Sequence, residues 1–184
     1  MTAPDLLRAV VGALETAGIP FMLTGSLAAA VHGTPRATMD IDLVIDPTAA
    51  RLRLLVASLS ESGLYVSPEA AVEALEHESM FNVVDTTTGW KVDLIVRKSR
   101  PFSRTEFARR RPGEYEGTRL WVATVEDLIL AKLEWAKLGG SARQLEDVAE
   151  LLRLAAGQLD RAYLERWIAD LDLRAPWEAT QAER

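Results

Sequence analysis

Apolar residues recur at helical spacing near the start of the chain. Leu6, Leu7, Val10, Val11 and Leu14 fall on one face, Pro4 suits a first turn, and Gly18 ends the run. The pattern predicts a helix over residues 4–16 and a short buried strand over 19–24. Ser26 stands where it can cap a following helix through His32, stopped by Gly33 and Pro35. Residues 39–45 read as a strand. Residues 48–62 read as a helix with Leu52, Leu55, Val56 and Leu59 on one face. A weaker pattern follows, with a short helix around 68–75. Residues 80–85 and 90–96 alternate as two strands about a Thr86-Thr87-Thr88-Gly89 turn, a hairpin, and 119–122 is a further short strand. From Thr124 onward the period is helical. Thr124 and Asp127 form a capping-box start, Gly139-Gly140 breaks the run, Ser141 caps a second helix, and residues 159–171 give a third. The tail from Arg174 is expected to be loose, docked at most by Trp177. This order predicts a mixed α/β fold: an αβα core over 1–122, a helical subdomain over 123–175 and a tail over 176–184.

Composition narrows the class. A chain of 184 residues, 48% hydrophobic, can bury a full core and does not resemble a disordered chain. Its apolar runs are too short to span a membrane and its first residues lack a signal-peptide pattern, so no membrane partner and a cytoplasmic location are expected. The absence of cysteine excludes disulfides and thiolate metal sites. A net charge of −6 argues against a surface coated in nucleic acid. One segment runs against that balance. Residues 97–111 hold seven basic side chains (Arg97, Lys98, Arg100, Arg104, Arg109, Arg110, Arg111) against the single acid Glu106. Such a run is most often a solvated face, but its density of positive charge also suits a polyanionic partner such as tRNA.

The chemistry lies on strands. Successive strand side chains alternate in direction, so Asp40 and Asp42 share one face while Ile41 and Leu43 take the other. Paired carboxylates inside an apolar strand repel each other unless a cation sits between them, and Mg2+ or Mn2+ suits all-oxygen ligands. Asp93 is the third such residue, sharing its face with Lys91 and Ile95. Three carboxylates at one sheet edge meet the needs of metal-assisted phosphoryl transfer. The Gly25-Ser26 step lets a phosphate approach the backbone at a helix N-terminus. Arg36 precedes the carboxylate strand closely enough to contact a triphosphate or to neutralise the aspartates. His32 and His77 are isolated and read as structural.

Taken together, Gly25-Ser26, Gly33-x-x-Arg36-x-Thr38, Asp40-Ile41-Asp42-Leu43 and Val92-Asp93-Leu94-Ile95 resemble the nucleotidyltransferase fold of the DNA polymerase β superfamily. The long spacing from Gly-Ser to Asp-x-Asp is similar to that of AbiEii/MenT-type toxins of bacterial toxin–antitoxin and abortive-infection systems. Asp127 to Leu133 and Arg143 to Val148 resemble their helical motif, and the likeness covers roughly residues 19–152. The resemblance implies a mixed sheet flanked by helices with a C-terminal helical extension. It places Gly25 and Ser26 on the β- and γ-phosphates of an NTP, Asp40, Asp42 and Asp93 as metal ligands and catalytic carboxylates, and Lys132 on phosphate, with Asp147 orienting Lys132 or the nucleotide. It implies transfer of NMP to an RNA hydroxyl, tRNA first, with a cognate antitoxin as partner. Two alternatives stand beside it: nucleotidylation of a protein or a small molecule such as an aminoglycoside, and a nucleotide-binding antitoxin without turnover.

Overall fold

The computed structural model describes residues 1–34, 38 and 40–182. Arg36 and Met39 lie outside the described residues. In chain order the elements are α1 (Ala3–Thr16), β1 (Phe21–Thr24), α2 (Gly25–Val31), β2 (Asp40–Ile45), α3 (Ala49–Glu61), β3 (Tyr65–Val66), α4 (Pro68–His77), β4 (Met80–Val84) and β5 (Lys91–Val96). They continue as α5 (Pro101–Arg109), β6 (Arg111–Tyr115), β7 (Thr118–Val122), α6 (Val125–Gly139), α7 (Ala142–Leu154), α8 (Arg161–Asp170) and α9 (Arg174–Ala182).

The strands form one mixed sheet in the order β3-β4-β5-β2-β1-β7-β6. β2 lies at its centre, antiparallel to β1 and parallel to β5. Ile41, Leu43, Val92 and Leu94 make one buried row on the sheet, and a single hydrophobic cluster runs from Leu6 of α1 to Leu173 before α9. The last strand ends at Val122 and helices follow it, and one hydrophobic cluster holds residues from both sides of that point.

Local chemistry sets the ends of several helices. Thr2 accepts from the Asp5 backbone N–H while the Asp5 carboxylate accepts from Thr2, the reciprocal box that starts α1. Thr48 and Ser67 cap α3 and α4 through their hydroxyls.

Several expectations need correction. Ser26 is no N-cap: α2 begins one residue earlier, with Thr24 extended at the cap and no side-chain cap bond. Ser141 stands at the N-cap of α7 but makes no side-chain cap bond. The basic segment is not simply a solvated face: much of it folds as α5, which buries Phe102, Ser103 and Phe107, and it leads into β6. The tail is not loose. It forms α9, packed on α6, α7 and α8, with the Thr180 side chain fully buried and its hydroxyl donating to the Trp177 carbonyl at 2.7 Å.

A buried hub joins α5, α6 and α8. Asp127 is almost fully buried, and its carboxylate accepts from Thr124 Oγ1 at 2.6 Å, Arg109 Nε at 3.3 Å and Tyr163 Oη at 2.5 Å. The Arg109 guanidinium also stacks 3.8 Å above the Tyr163 ring. Burial pushes the Asp127 carboxyl up despite these donors.

Candidate active site

Strand register gathers the acidic residues. Thr24 stands opposite Asp42 across β1 and β2, Asp42 opposite Asp93 across β2 and β5, and Asp40 opposite Lys91. Asp40, Asp42, Lys91 and Asp93 therefore occupy four neighbouring positions on one face at the sheet centre.

Each carboxylate has its own environment. Asp40 is half exposed and 3.1 Å from Lys91 Nζ. Asp93, 6% exposed, accepts from Asn82 Nδ2 at 2.5 Å and from Lys91 Nζ at 3.1 and 3.2 Å. Asn82 reaches it because β4 places these two residues directly opposite each other. The Asp42 carboxyl is pushed up to about 6, chiefly by burial and then by repulsion from Asp93 and Asp40; Lys91 and Lys132 pull the other way. A site that raises a carboxyl through neighbouring carboxylates is short of positive charge.

Gly25 is fixed by that carboxylate. Its φ is +65°, and an added Cβ would stand 2.0 Å from Asp42 Oδ2. The space a side chain would fill is taken by Asp42, so glycine is required for geometry as well as backbone conformation. Ser26 follows in the first turn of α2.

Lys132 reaches the site's periphery. It sits on α6, which packs against α2, is 4% exposed, and donates to Asp147 Oδ2 at 2.6 Å and Gln144 Oε1 at 3.3 Å. The structure therefore joins Lys132 to Asp147, and Lys132 is close enough to Asp42 to act on its carboxyl.

Among the seven basic residues, four are engaged inside the molecule. Arg97 pairs with Asp46 at 3.0 Å, Arg100 with Glu134 through both guanidinium nitrogens, Arg109 with the Asp127 hub, and Arg110 Nη1 donates to the Phe107 carbonyl. Lys98 and Arg104 are exposed on this segment, and Arg111 begins β6.

Next to the carboxylates lies a cavity of about 220 Å3. Its floor is Val44 and Ile95, each two residues beyond a carboxylate on the same face; Phe102, Glu106, Glu134 and Trp135 of α5 and α6 wall it. Trp135 stands 63% exposed at its edge. Burial, then repulsion from Asp127, pushes the Glu106 carboxyl up to about 8. The folded chain thus binds this proton more tightly than the unfolded chain, and stability falls as pH rises from about 5 to about 8. Thermal melts should show Glu106→Gln losing this component and gaining about 2 kcal/mol on the wild type at pH 8.5 relative to pH 5.

The donor set would fit a hard divalent cation: every candidate ligand is a carboxylate oxygen, and a cation, the Lys91 ammonium, seats between two of them. Among the described residues no three acidic or imidazole groups stand as a ready-made metal cage.

The family model for the AbiEii toxin, a nucleotidyl transferase of type IV toxin–antitoxin systems, matches residues 8–183. The chain belongs to the AbiEii family. It is a nucleotidyltransferase. No curated protein matches its sequence. The AbiEii-family chain superposes on the antibiotic-resistance factor ANT(2'')-Ia with a TM-score of 0.60 at 18% identity, covering 98% of this chain and 97% of that one. An antigenic nucleotidyltransferase-like protein from Paracoccidioides brasiliensis gives 0.55 at 21% identity, covering 93% and 90%. The lincosamide adenylyltransferase LnuA gives 0.53 at 12%, covering 84% and 98%. At such identities the likeness is one of fold, and the fold is the nucleotidyltransferase fold expected from the sequence. No helix among the described residues is long and apolar enough to cross a membrane.

Two features of the AbiEii-family site escaped the sequence reading. Lys91 was placed on the Asp93 face, but its contact with Asp40 depends on the β2–β5 register. Asn82 carried the signal of strand alternation opposite Asp93, visible only once the hairpin register is known.

Proposed function

We propose that this AbiEii-family enzyme transfers NMP from an NTP to a hydroxyl of RNA, tRNA first, releasing pyrophosphate. The observation that carries the reading is the in-register alignment of Asp40, Asp42 and Asp93 at the sheet centre, with glycine reserved for the Asp42 carboxylate. Those carboxylates would hold Mg2+ or Mn2+, which when bound neutralises phosphate charge and polarises the phosphorus centre. The first turn of α2, at Gly25 and Ser26, offers backbone N–H groups to the β- and γ-phosphates. Lys132 supplies a cation from the facing helix, kept in place by Asp147. Asp93, braced by Asn82, aligns the attacking hydroxyl.

RNA is favoured as acceptor by what surrounds the carboxylates. Exposed Trp135 beside a ring-sized cavity, with exposed Lys98 on the same cavity's lining, suits an unpaired base that stacks while its phosphate meets a cation. The cavity is below the usual 300–1,000 Å3 of a drug-sized site, so it takes one ring system rather than a whole antibiotic. A cognate antitoxin is the expected protein partner, on the strength of the family.

The test incubates the protein with each α-labelled NTP, Mg2+ and total RNA or lysate. Label should enter small RNA with the wild type and not with Asp40→Ala. Trp135→Ala should lower RNA labelling about tenfold through acceptor KM and leave NTP binding unchanged. Label on protein or small molecules alone would overturn the RNA assignment, and no transfer from any NTP would overturn the reaction.

A further inference from the structure

Lys91 is the charged residue of the site that the reaction described above leaves without a task. It opens β5, two residues before Asp93 on the same face and directly opposite Asp40 on β2. Its Nζ lies 3.1 Å from Asp40 Oδ1 and 3.1 Å from Asp93 Oδ2, and 3.2 Å from Asp93 Oδ1. The amine bridges two strands, in the space where an ion shared by Asp40 and Asp93 would have to sit.

We propose that the Lys91 ammonium is the permanent occupant of the cation position between Asp40 and Asp93, so that the site takes one divalent cation rather than two. This rests on the reading that the carboxylates bind a divalent cation, and it narrows that reading to a stoichiometry.

Several observations support it. The amine is held by both neighbours rather than by one, and its side chain is only 38% exposed, so it is more constrained than a surface lysine. Asp93 is further committed by Asn82, which donates to the oxygen that Lys91 also contacts. An incoming ion would have to break the lysine contacts and compete with the Asn82 amide for Asp93. Charge agrees as well. Before nucleotide binds, the three carboxylates and the Lys91 ammonium leave two negative charges, the charge of one divalent ion.

The position has a chemical consequence. A fixed ammonium beside Asp93 offers a positive charge where the attacking hydroxyl gathers electron density, without an exchangeable ion. That charge belongs to the chain itself and does not depend on a bound ion.

The test counts Mn2+ in the wild type, Lys91→Met and Lys91→Arg, each with a non-hydrolysable NTP analogue, by electron paramagnetic resonance. Circular dichroism confirms that each variant is folded. The wild type and Lys91→Arg should each bind one Mn2+ with an uncoupled spectrum. Lys91→Met, which keeps the aliphatic stem but loses the charge, should bind two, with the spin coupling of ions roughly 3.5–4 Å apart. A coupled pair in the wild type would overturn the proposal, because the amine would then be displaced. One ion in both wild type and Lys91→Met would overturn it too, because Lys91 would not be what excludes the second. No Mn2+ in any of the three would overturn the divalent-cation reading itself, a result distinguishable from the other two.

Discussion

Asp42→Asn is expected to abolish nucleotide transfer, by on the order of 1,000-fold, while raising the melting temperature in metal-free buffer at neutral pH. The two effects have one cause. Asp42 is buried beside two other carboxylates, and its carboxyl is pushed up to about 6. Above that pH it ionises in the folded chain against burial and against Asp93 and Asp40. The native state therefore holds a proton that the unfolded chain, titrating near 3.8, has already released, and stability falls as pH rises across that interval. Asparagine keeps the shape and removes the charge. Calorimetry at pH 7.5 with and without Mg2+ separates the contributions: saturating Mg2+ should raise the wild-type melting temperature and leave Asp42→Asn nearly unmoved. A variant that melts lower than wild type in metal-free buffer would show that Asp42 contributes packing rather than strain.

Gly25→Ala should be nearly as damaging to activity, for a steric reason. The new methyl would stand 2.0 Å from Asp42 Oδ2 and 2.9 Å from its carboxyl carbon, on a backbone with φ of +65°. Neither the α2 backbone nor the β2 strand can yield cheaply, because β2 is paired on both sides at the sheet centre and α2 is packed between β1, β2 and α6. The Asp42 carboxylate must swing away, at a cost of roughly 1–3 kcal/mol in stability and a loss of at least about 100-fold in kcat. Activity assays alongside thermal melts check it. Wild-type kcat in a folded Gly25→Ala protein would show that Asp42 is not needed in its present position.

The parts of the site that were legible in the sequence are those governed by local periodicity. Asp40, Asp42 and Asp93 could be assigned to faces because strand alternation needs no knowledge of neighbours, and the β4–β5 hairpin because its turn residues are explicit. The fold followed from the order of those elements. What could not be read depends on contacts distant in sequence. Lys91 meets Asp40 only through the β2–β5 register, some fifty residues apart. The basic segment hid helix α5, because its seven basic residues outnumber the buried Phe102, Ser103 and Phe107. Its density of charge suggested a binding face, yet Arg97, Arg100 and Arg109 hold partners on other elements, so charge reversal there would test folding. The tail looked loose because α9 is anchored by a few residues, Trp177 and Thr180 among them, whose pockets come from earlier helices.

The Asp127 hub sets a schedule for the chain. Strands that carry the carboxylates are complete by Val96, and the sheet by Val122. The helix that brings Lys132 to them is tied through Asp127 to Tyr163, near the end of the chain. During synthesis the acidic half is made first and the wall that closes over it is fastened last, once α8 has left the ribosome. A nascent chain stalled before Tyr163 would carry its carboxylates and α6 without the Tyr163 bond to Asp127.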